Sequence, residues 1–214
     1  MQHAHFIHLG GPWTRQHNRA IDTARVHSPF VSVHHIHPPG WLAAHPIGLA
    51  NVKDYYAYRI LRAYGGIYLD FDTISLRPAW DLLTADVCMS TEFPSGDEAG
   101  EPYNTAVLLA KQGAPVLMEL EMEAYSLLRE GESTWGALGP HLISRFYRAN
   151  PEPFSPAPYR ALNGWSYHSI GDYYEFPRDP TLDGDDPDLD VRVIHLYSSD
   201  HRDEFLRDTW TPTG

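Results

Sequence analysis

Apolar and polar residues follow two periods along the chain, which predicts strands interleaved with helices. The predicted strands are short apolar or alternating runs: FIHLGG, FVSVHHIH, IYLDFDTISL, ADVCMSTEF, NTAVLLAK and VRVIHLY. The predicted helices are TRQHNRAIDTARVH, NVKDYYAYRILRAYGG, APVLMELEMEAYSLLREG and GPHLISRFYRAN. Thr14 is the expected N-cap of the first helix, and Gly65 and Gly131 are expected to end the second and third. This order predicts an α/β fold with a mainly parallel sheet.

The chain has 214 residues and shows no internal repeat or long linker, which predicts one domain over 1–214. The Pro-rich NPEPFSPAP is expected to cross the surface, and 150–190 are expected to form a loop-rich cap. No run reaches the roughly 18 apolar residues of a membrane helix, and MQHAHFIHLGG lacks the pattern of a signal peptide. The single cysteine, Cys88, excludes an internal disulfide and is expected in the core. A cytoplasmic protein is therefore expected.

Charge narrows the range of partners. The formal net charge is −12, from 28 acidic and 16 basic residues, and the bases form no patch or stripe. Nucleic acids and anionic membrane surfaces are therefore excluded as expected partners. An excess of acid suits a protein that recruits a divalent cation.

Two aspartates, Asp70 and Asp72, follow the apolar run IYL at the sheet edge where open α/β sheets bind ligands. In extended backbone, residues two apart face the same side, so both carboxylates are expected to project together, roughly 7 Å apart. Mg²⁺ or Mn²⁺ would relieve their repulsion and would also bind a substrate diphosphate. The alternative is that both aspartates are simply solvated at the end of a strand, although an unpaired charge at the edge of the core costs free energy of folding.

Residues 51–78 contain DYYAYRILRAYGGIYLDFDTISLRP and resemble the sugar-binding region of DXD-motif nucleotide-sugar glycosyltransferases. That family includes capsular-polysaccharide and mannosyl-type enzymes and the glucosyltransferase domains of large clostridial toxins. The matching positions are Asp54, the Tyr-Gly-Gly of 64–66, Tyr68, Asp70 and Asp72. Weaker likenesses in HFIHLGG, EPYNTAVLLAKQGAPVL and VIHLYSS extend the resemblance over most of the chain. It implies a GT-A-type, Rossmann-like fold.

The resemblance also implies an activity and a site. The activity is transfer of a hexose from a nucleotide-diphosphate sugar, a UDP-sugar, to a carbohydrate or small-molecule acceptor hydroxyl, with retention of configuration. The cofactor is Mn²⁺ or Mg²⁺, held by Asp72, His195 and Ser198, with Asp70 and Asp72 as the catalytic pair. The implied donor-binding residues are His8, Leu9, Gly10, Asp54, Tyr68, Asp70 and Asn104.

Several of these residues could instead have a purely structural role. Tyr68 could equally be a core residue, and Asn104 a turn residue. His195 closes an apolar strand at the ligand-binding edge, where it could contact either a metal ion or a phosphate.

Two positions depart from the family pattern. The family's helix arginine, which helps to hold the diphosphate or sugar, falls on Ala57; Arg62, two turns later, is the candidate substitute because Arg59 points to another helix face. The aromatic residue that stacks on uracil, often Trp, falls on His8, whose ring offers less area. The base is then held differently, or it is not uracil.

Two other functions stay open. IYLDFDTISL also resembles the motif of haloacid-dehalogenase-type phosphatases, but Ile74 replaces their Thr or Val, and Lys111 is the single downstream lysine. A non-catalytic nucleotide-sugar-binding protein is the second alternative, favoured by Ala57 and His8.

Three further features suggest weaker sites. HAHFIH and VHHIHP contain six of the 13 histidines, either as a metal site or as solvated or hydrogen-bonded residues. DGDDPDLD, at 183–190, resembles a calcium loop only loosely and is expected to be a solvated loop. Trp165 and Tyr167 are candidates for contact with the acceptor.

Overall fold

The structure is a computed structural model that describes residues 2–38, 49–91, 103–132, 134–163 and 191–195. Four predicted features lie outside the described residues: Ser198, Trp165, Tyr167 and the acidic run 183–190.

Eight strands are described: β1 His3–His8, β2 Phe30–His35, β3 Gly66–Leu69, β4 Thr73–Ser75, β5 Val87–Met89, β6 Val107–Ala110, β7 Phe154–Pro156 and β8 Val193–His195. Six of them form a sheet in the order β2-β1-β3-β6-β5-β7, and β4 pairs with β8 in a second, antiparallel sheet. In the large sheet the pairings β1–β2, β1–β3 and β5–β7 are parallel, whereas β6 is antiparallel to β3 and β5. The α/β fold with a mainly parallel sheet is confirmed.

Five α-helices are described: α1 Arg15–His27, α2 Leu49–Tyr64, α3 Pro115–Glu130, α4 Pro140–Ala149 and α5 Tyr159–Asn163. The predicted boundary residues are confirmed. Thr14 is the N-cap of α1, and Gly65 and Gly131 follow α2 and α3 with φ of 62° and 89°. Among the described residues, no helix has the length and apolar character to cross a membrane.

Two apolar clusters cover the two faces of the sheet. One joins the sheet to α2, α3 and α4 through residues such as Tyr58, Leu117 and Leu108, and the other joins it to α1. Leu108 and Leu109 belong to different clusters because successive residues of a strand face opposite sides. Cys88 is buried in the second cluster, and burial raises the pKa of its thiol to about 12, as expected for a core residue.

The prediction that IYLDFDTISL forms one strand is wrong. β3 ends at Leu69, β4 begins at Thr73, and 70–72 turn the chain from the large sheet into the small one. The Thr73 Oγ1 hydroxyl donates to the Asp70 carbonyl at 2.6 Å, and the Thr73 N–H donates to the same oxygen at 3.2 Å. Asp70 and Asp72 therefore meet across a turn and not along one face of a strand.

NPEPFSPAP lies largely at the surface, as predicted, but the sequence interpretation missed a strand within it. It contains β7, which pairs in parallel with β5 at the edge of the large sheet and buries Phe154. The edge position allows prolines, because a strand there need not donate hydrogen bonds on its outer side.

The Gly65–Gly66 pair lets β3 begin against β1. Gly66 has φ of 106°, and a Cβ added there would lie 2.2 Å from the His3 carbonyl oxygen. His5 Nε2 donates to the Gly65 carbonyl at 2.9 Å. Only glycine fits so close an approach of two backbones, so the pair sets the position of β3 and of the residues after it.

Candidate active site

Three side chains that can ligate a metal meet at the carboxyl end of β3. One oxygen each of Asp70 and Asp72 and one ring nitrogen of His195 lie within 4.8 Å of one another. Pairing of β4 with β8 sets His195 opposite Thr73, and His195 Nε2 lies 3.5 Å from Asp72 Oδ2. Among the described residues, this is the one such group of three or more His, Cys, Asp or Glu side chains.

Asp70 is held by two donors, one on each carboxylate oxygen. The Tyr68 hydroxyl donates to Oδ1, and Lys53 Nζ lies 2.5 Å from Oδ2. Tyr68 is 1% exposed, so it is at once a core residue and a partner of Asp70. Burial and the charge of Asp70 raise the pKa of Tyr68 well above its usual value, which keeps the hydroxyl protonated.

Lys53 was missed by the sequence interpretation. It lies on α2, one turn before Ala57, and its side chain is 22% exposed. Burial alone would lower the pKa of Lys53, but the charges of Asp70, Asp54 and Asp72 outweigh it, and the pKa is raised. The usable signal was a lysine one turn before Ala57 on the same helix face, in a chain that has two lysines.

Asp54 lies in the wall of the same region and is 4% exposed. A Cβ added at Gly139 would lie 2.2 Å from Asp54 Oδ2 and 2.7 Å from Thr105 Oγ1. Gly139 is therefore the residue that lets the start of α4 approach α2 at this carboxylate.

Asn104 connects the start of β6 to His195. Its Nδ2 lies 3.4 Å from His195 Nδ1, and its Oδ1 accepts a hydrogen bond of 2.7 Å from the Ala106 N–H. Asn104 thus closes a local turn, and its side chain also lies beside the ring of His195. Because β6 runs antiparallel to β3, its first residues lie beside the last residues of β3.

The predicted residues at the end of β1 lie in an aromatic cluster beside this turn. The His8 ring lies 5.3 Å from Trp13 and 6.3 Å from Phe71, centroid to centroid, and Phe71 is the residue between the two aspartates. Trp13 is 43% exposed; its Nε1 donates to Asn18 Oδ1 at 2.8 Å, and its ring stacks on His17 at 4.9 Å. The sequence interpretation missed Trp13, since it follows a glycine turn that carries no periodic signal.

The other two predicted residues of this segment differ from each other. Leu9 is partly buried and packs against the larger apolar cluster. Gly10 has φ of 102° and no atom within 4 Å of an added Cβ, so its backbone borders open space.

Comparison with known proteins assigns this arrangement to a class. Residues 17–92 match the family "Glycosyltransferase sugar-binding region containing DXD motif". The match includes Asp54, Tyr68, Asp70 and Asp72, and it confirms both the resemblance and the expected class of enzyme, a glycosyltransferase. No curated protein matches the chain in sequence.

Solved glycosyltransferase structures share the fold of the chain. The PaToxG glycosyltransferase superposes with a TM-score of 0.53 and 15% identity, over 70% of each chain. A glycosyltransferase involved in glycosylation of the major capsid of PBCV-1 gives 0.63 and 14%, over 95% of this chain and 97% of that one. GlyE of Streptococcus pneumoniae TIGR4 gives 0.56 and 14%, over 93% of this chain and 55% of that one. These likenesses confirm the GT-A-type fold.

Arg62 does not replace the arginine that the sugar-binding region lacks at Ala57. Its Nε lies 2.6 Å from Glu121 Oε2, so it joins α2 to α3 on the side away from Asp70. The suggested substitution by Arg62 is wrong, and the cation that the structure pairs with Asp70 is Lys53.

The phosphatase alternative needs a lysine from downstream of the motif at Asp70, and Lys111 does not reach it. Lys111 follows β6 and pairs with Asp86 at 3.3 Å. Because β6 is antiparallel to β3, its last residue, Ala110, pairs with Gly66 at the beginning of β3. Lys111 therefore lies at the opposite end of β3 from Asp70.

The histidine-rich segments form hydrogen-bonded pairs in the structure. His3 Nε2 lies 2.8 Å from Ser32 Oγ, and His5 Nδ1 lies 3.1 Å from His34 Nε2. Burial, with smaller effects of His3 and His34, lowers the pKa of His5 to about 4 despite its hydrogen bond to Gly65. These contacts support the interpretation of hydrogen-bonded histidines in the described part of the two segments.

Proposed function

We propose that this glycosyltransferase is metal-dependent and transfers a hexose from a nucleotide-diphosphate sugar, a UDP-sugar, to a hydroxyl of a carbohydrate or small molecule. The observation that supports it is the meeting of Asp70, Asp72 and His195 at the end of β3, two of them within the sugar-binding region.

The donor atoms at this point suit Mn²⁺ or Mg²⁺. Two carboxylates and one imidazole within 4.8 Å give hard oxygen ligands with one nitrogen. Asp72 and His195 would hold the ion, with Ser198 as a further ligand. When bound, the ion supplies positive charge that stabilises the departing diphosphate.

The aromatic cluster around His8 would bind the nucleoside. Trp13 offers the exposed ring area that an imidazole at position 8 lacks, and its contacts with His17 and Asn18 hold that ring in place. Gly10 leaves open space in which a base or ribose can approach the backbone. Leu9 would take part through its backbone, since its side chain packs inward.

The polar residues would hold the diphosphate and the hexose. Tyr68 and Lys53 orient Asp70 towards sugar or ribose hydroxyls, and Asn104 lies beside His195 where the hexose would extend. Asp54, packed against Gly139, adds negative charge to the wall. This charge holds Lys53 in its protonated form.

Retention of configuration is part of the proposal and is taken from the family resemblance. Asp70 is held by Tyr68 and Lys53, and Asp54 is packed against Gly139, which supports roles in binding for these carboxylates and not a role as a nucleophile. The acceptor hydroxyl would then attack from the side on which the diphosphate leaves. The single domain over 1–214, the cytoplasmic location and the exclusion of nucleic acid stay predictions.

Calorimetric titration of UDP- and GDP-sugars tests the proposal, with Mn²⁺ or with EDTA. We expect one UDP-sugar to bind with Mn²⁺ only, and binding to be lost in Asp72→Asn. Asp22→Asn is the matched control, because Asp22 is exposed and pairs with Arg25 on α1. Failure of every nucleotide sugar to bind the folded protein overturns the proposal, and equal binding in EDTA overturns its metal dependence.

Configuration needs a separate measurement. Proton NMR of the sugar formed from the bound donor, with water or an added acceptor, reports the anomeric form of the first product. We expect the configuration of the donor to be kept, and the opposite anomer would overturn the same-side mechanism.

A further inference from the structure

Lys53 is a positive charge built into a group of carboxylates. Its Nζ is 2.5 Å from Asp70 Oδ2, and the charges of Asp54 and Asp72 act on it as well. The side chains of Lys53 and Asp70 are 22% and 13% exposed, so water screens this pair less than it screens a surface pair. The four side chains together carry a formal charge of −2.

A fixed ammonium acts in opposite directions on the two ligands of the proposed function. It repels a divalent cation that approaches Asp70 and Asp72, and it attracts a diphosphate. Its hydrogen bonds add to this effect: a lysine has three N–H donors, and the ion pair with Asp70 uses one.

We propose that Lys53 keeps the acidic site from filling with a divalent ion alone and gives the diphosphate of the donor a direct cationic contact. This inference rests on the proposed function. It assigns to Lys53 on α2 the diphosphate contact that Ala57, one turn later on the same face, cannot make.

The arrangement also gives the two aspartates different roles towards a metal ion. Tyr68 and Lys53 each donate to one oxygen of Asp70, which makes Asp70 a poorer ligand than Asp72 and His195 for an ion that enters without the diphosphate. Among the described residues, the site then offers a bare ion these two ligands beside an ammonium, which makes binding of the ion alone weak. The phosphate oxygens of the donor supply the further ligands that Mg²⁺ and Mn²⁺ normally take from a substrate.

Two titrations on one set of variants test the inference. The first measures Mn²⁺ binding without nucleotide, from the electron paramagnetic resonance signal of free Mn²⁺. The second measures UDP binding by calorimetry at saturating Mn²⁺. The variants are Lys53→Met, which removes the charge, Lys53→Arg, which keeps it, and Lys111→Met, which removes the chain's other lysine from its pair with Asp86.

We expect Lys53→Met to change the two affinities in opposite directions. Removing one unit charge should tighten Mn²⁺ binding about tenfold and weaken UDP binding about tenfold. Lys53→Arg should stay within about threefold of wild type in both titrations, and Lys111→Met should match wild type.

The result that overturns the inference is a parallel change. If Lys53→Met weakens both ligands, the lysine only supports the shape of the pocket, and if it changes neither, its charge does not act on the ligands. If wild type binds no Mn²⁺ even with UDP, the proposed function fails, and this inference fails with it. If wild type binds both ligands and Lys53→Met binds them equally well, the proposed function is supported and only this inference is contradicted.

A second route covers a Lys53→Met variant that does not fold. Lys53→Gln keeps an N–H donor for Asp70 without the charge, and the same opposite shifts are expected. Lys53→Cys treated with 2-bromoethylamine regains an ammonium at nearly the original length, while Cys88 is buried and protected. Failure of the restored charge to return both affinities towards wild type contradicts the inference.

Discussion

The two ends of β3 both contain buried polar groups, but they are balanced differently. At its beginning, His5 donates to the Gly65 carbonyl and pairs with His34, and a Cβ on Gly66 has no room. At its end, Asp70 is held by Tyr68 and Lys53, and Asp72 lies beside His195.

The polar groups at the beginning of β3 are uncharged and hydrogen-bonded within the protein, whereas those at its end carry excess negative charge. The pKa of His5 is lowered to about 4, chiefly by burial, so its ring is uncharged near neutral pH and uses both nitrogens within the protein. Asp54, Asp70 and Asp72 outnumber the single charge of Lys53 among these side chains. Buried polar groups that are hydrogen-bonded within the protein hold the strand in position. Excess negative charge at a partly open edge of the sheet instead favours binding of a ligand.

Gly66→Ala should have the largest effect, because it breaks the beginning of β3. The new Cβ would lie 2.2 Å from the His3 carbonyl oxygen at φ of 106°, so we expect a loss of at least about 3 kcal/mol in the free energy of unfolding. Urea denaturation measures it. Gly113→Ala is the matched control, with φ of 73° and open space around the Cβ, and should lose about 1 kcal/mol. Equal losses would contradict the close approach of β1 and β3.

Acidification should destabilise the beginning of β3, because it protonates His5. Its pKa falls from 6.5 in the unfolded chain to about 4 in the folded protein, so the unfolded state binds the proton first as pH drops. The free energy of unfolding should therefore be constant above about pH 7 and fall by about 2 kcal/mol by pH 4.5 from this group.

Urea denaturation of His5→Gln over the same pH range isolates this contribution. The variant is expected to be less stable at pH 7 and to lose less stability on acidification than wild type. His37→Gln, at an exposed histidine, is the control and should follow the wild-type profile. If the free energy of unfolding of His5→Gln depends on pH as steeply as that of wild type, His5 is not the cause of the acid destabilisation.

Tyr68→Phe addresses the charged end of β3 with little change in volume. Asp70 loses one of its two hydrogen bonds, and we expect kcat/KM for donor turnover to fall about tenfold. Stability should change by about 1 kcal/mol. Tyr58→Phe is the matched control, since the hydrogen bond that the Tyr58 hydroxyl makes among the described residues is a long one, 3.5 Å, to the Gly139 carbonyl. A larger kinetic effect in Tyr58→Phe would contradict the assignment.

Arg62→Gln should have the smallest effect. Its pair with Glu121 joins two helices and is 40% exposed on the arginine side, so we expect less than about 1 kcal/mol in stability. UDP affinity, measured by calorimetry with Mn²⁺, should be unchanged, in contrast to Lys53→Gln. A loss of UDP affinity in Arg62→Gln would return the diphosphate contact to this arginine.

Elements with local signals were predictable from the sequence. α2 and α3 combine apolar periodicity with a terminal glycine, and both end as predicted at Gly65 and Gly131. The grouping of Asp70, Asp72 and His195 was also expected, because the family resemblance contained it. Each of these predictions depends on residues close in sequence or on a known motif.

Features decided by distant pairing were not predictable. IYLDFDTISL looks like one strand, but β3 pairs with β1 and β6 while β4 pairs with β8, and the chain must turn between them. Lys53 was not considered, because its place beside Asp70 depends on how α2 packs over the end of β3. Trp13 reaches His8 through a loop, and no periodic pattern reports where a loop returns to the sheet.

The pairing of β4 with β8 has a consequence for how the protein is made. β8 supplies His195 and is the last described strand, so it leaves the ribosome after all six strands of the large sheet. A nascent chain that stops before residue 191 can pair every strand of that sheet and still lack the imidazole beside Asp72. Under the proposed function, the ion site would therefore be completed only after the strands of the large sheet have been synthesised.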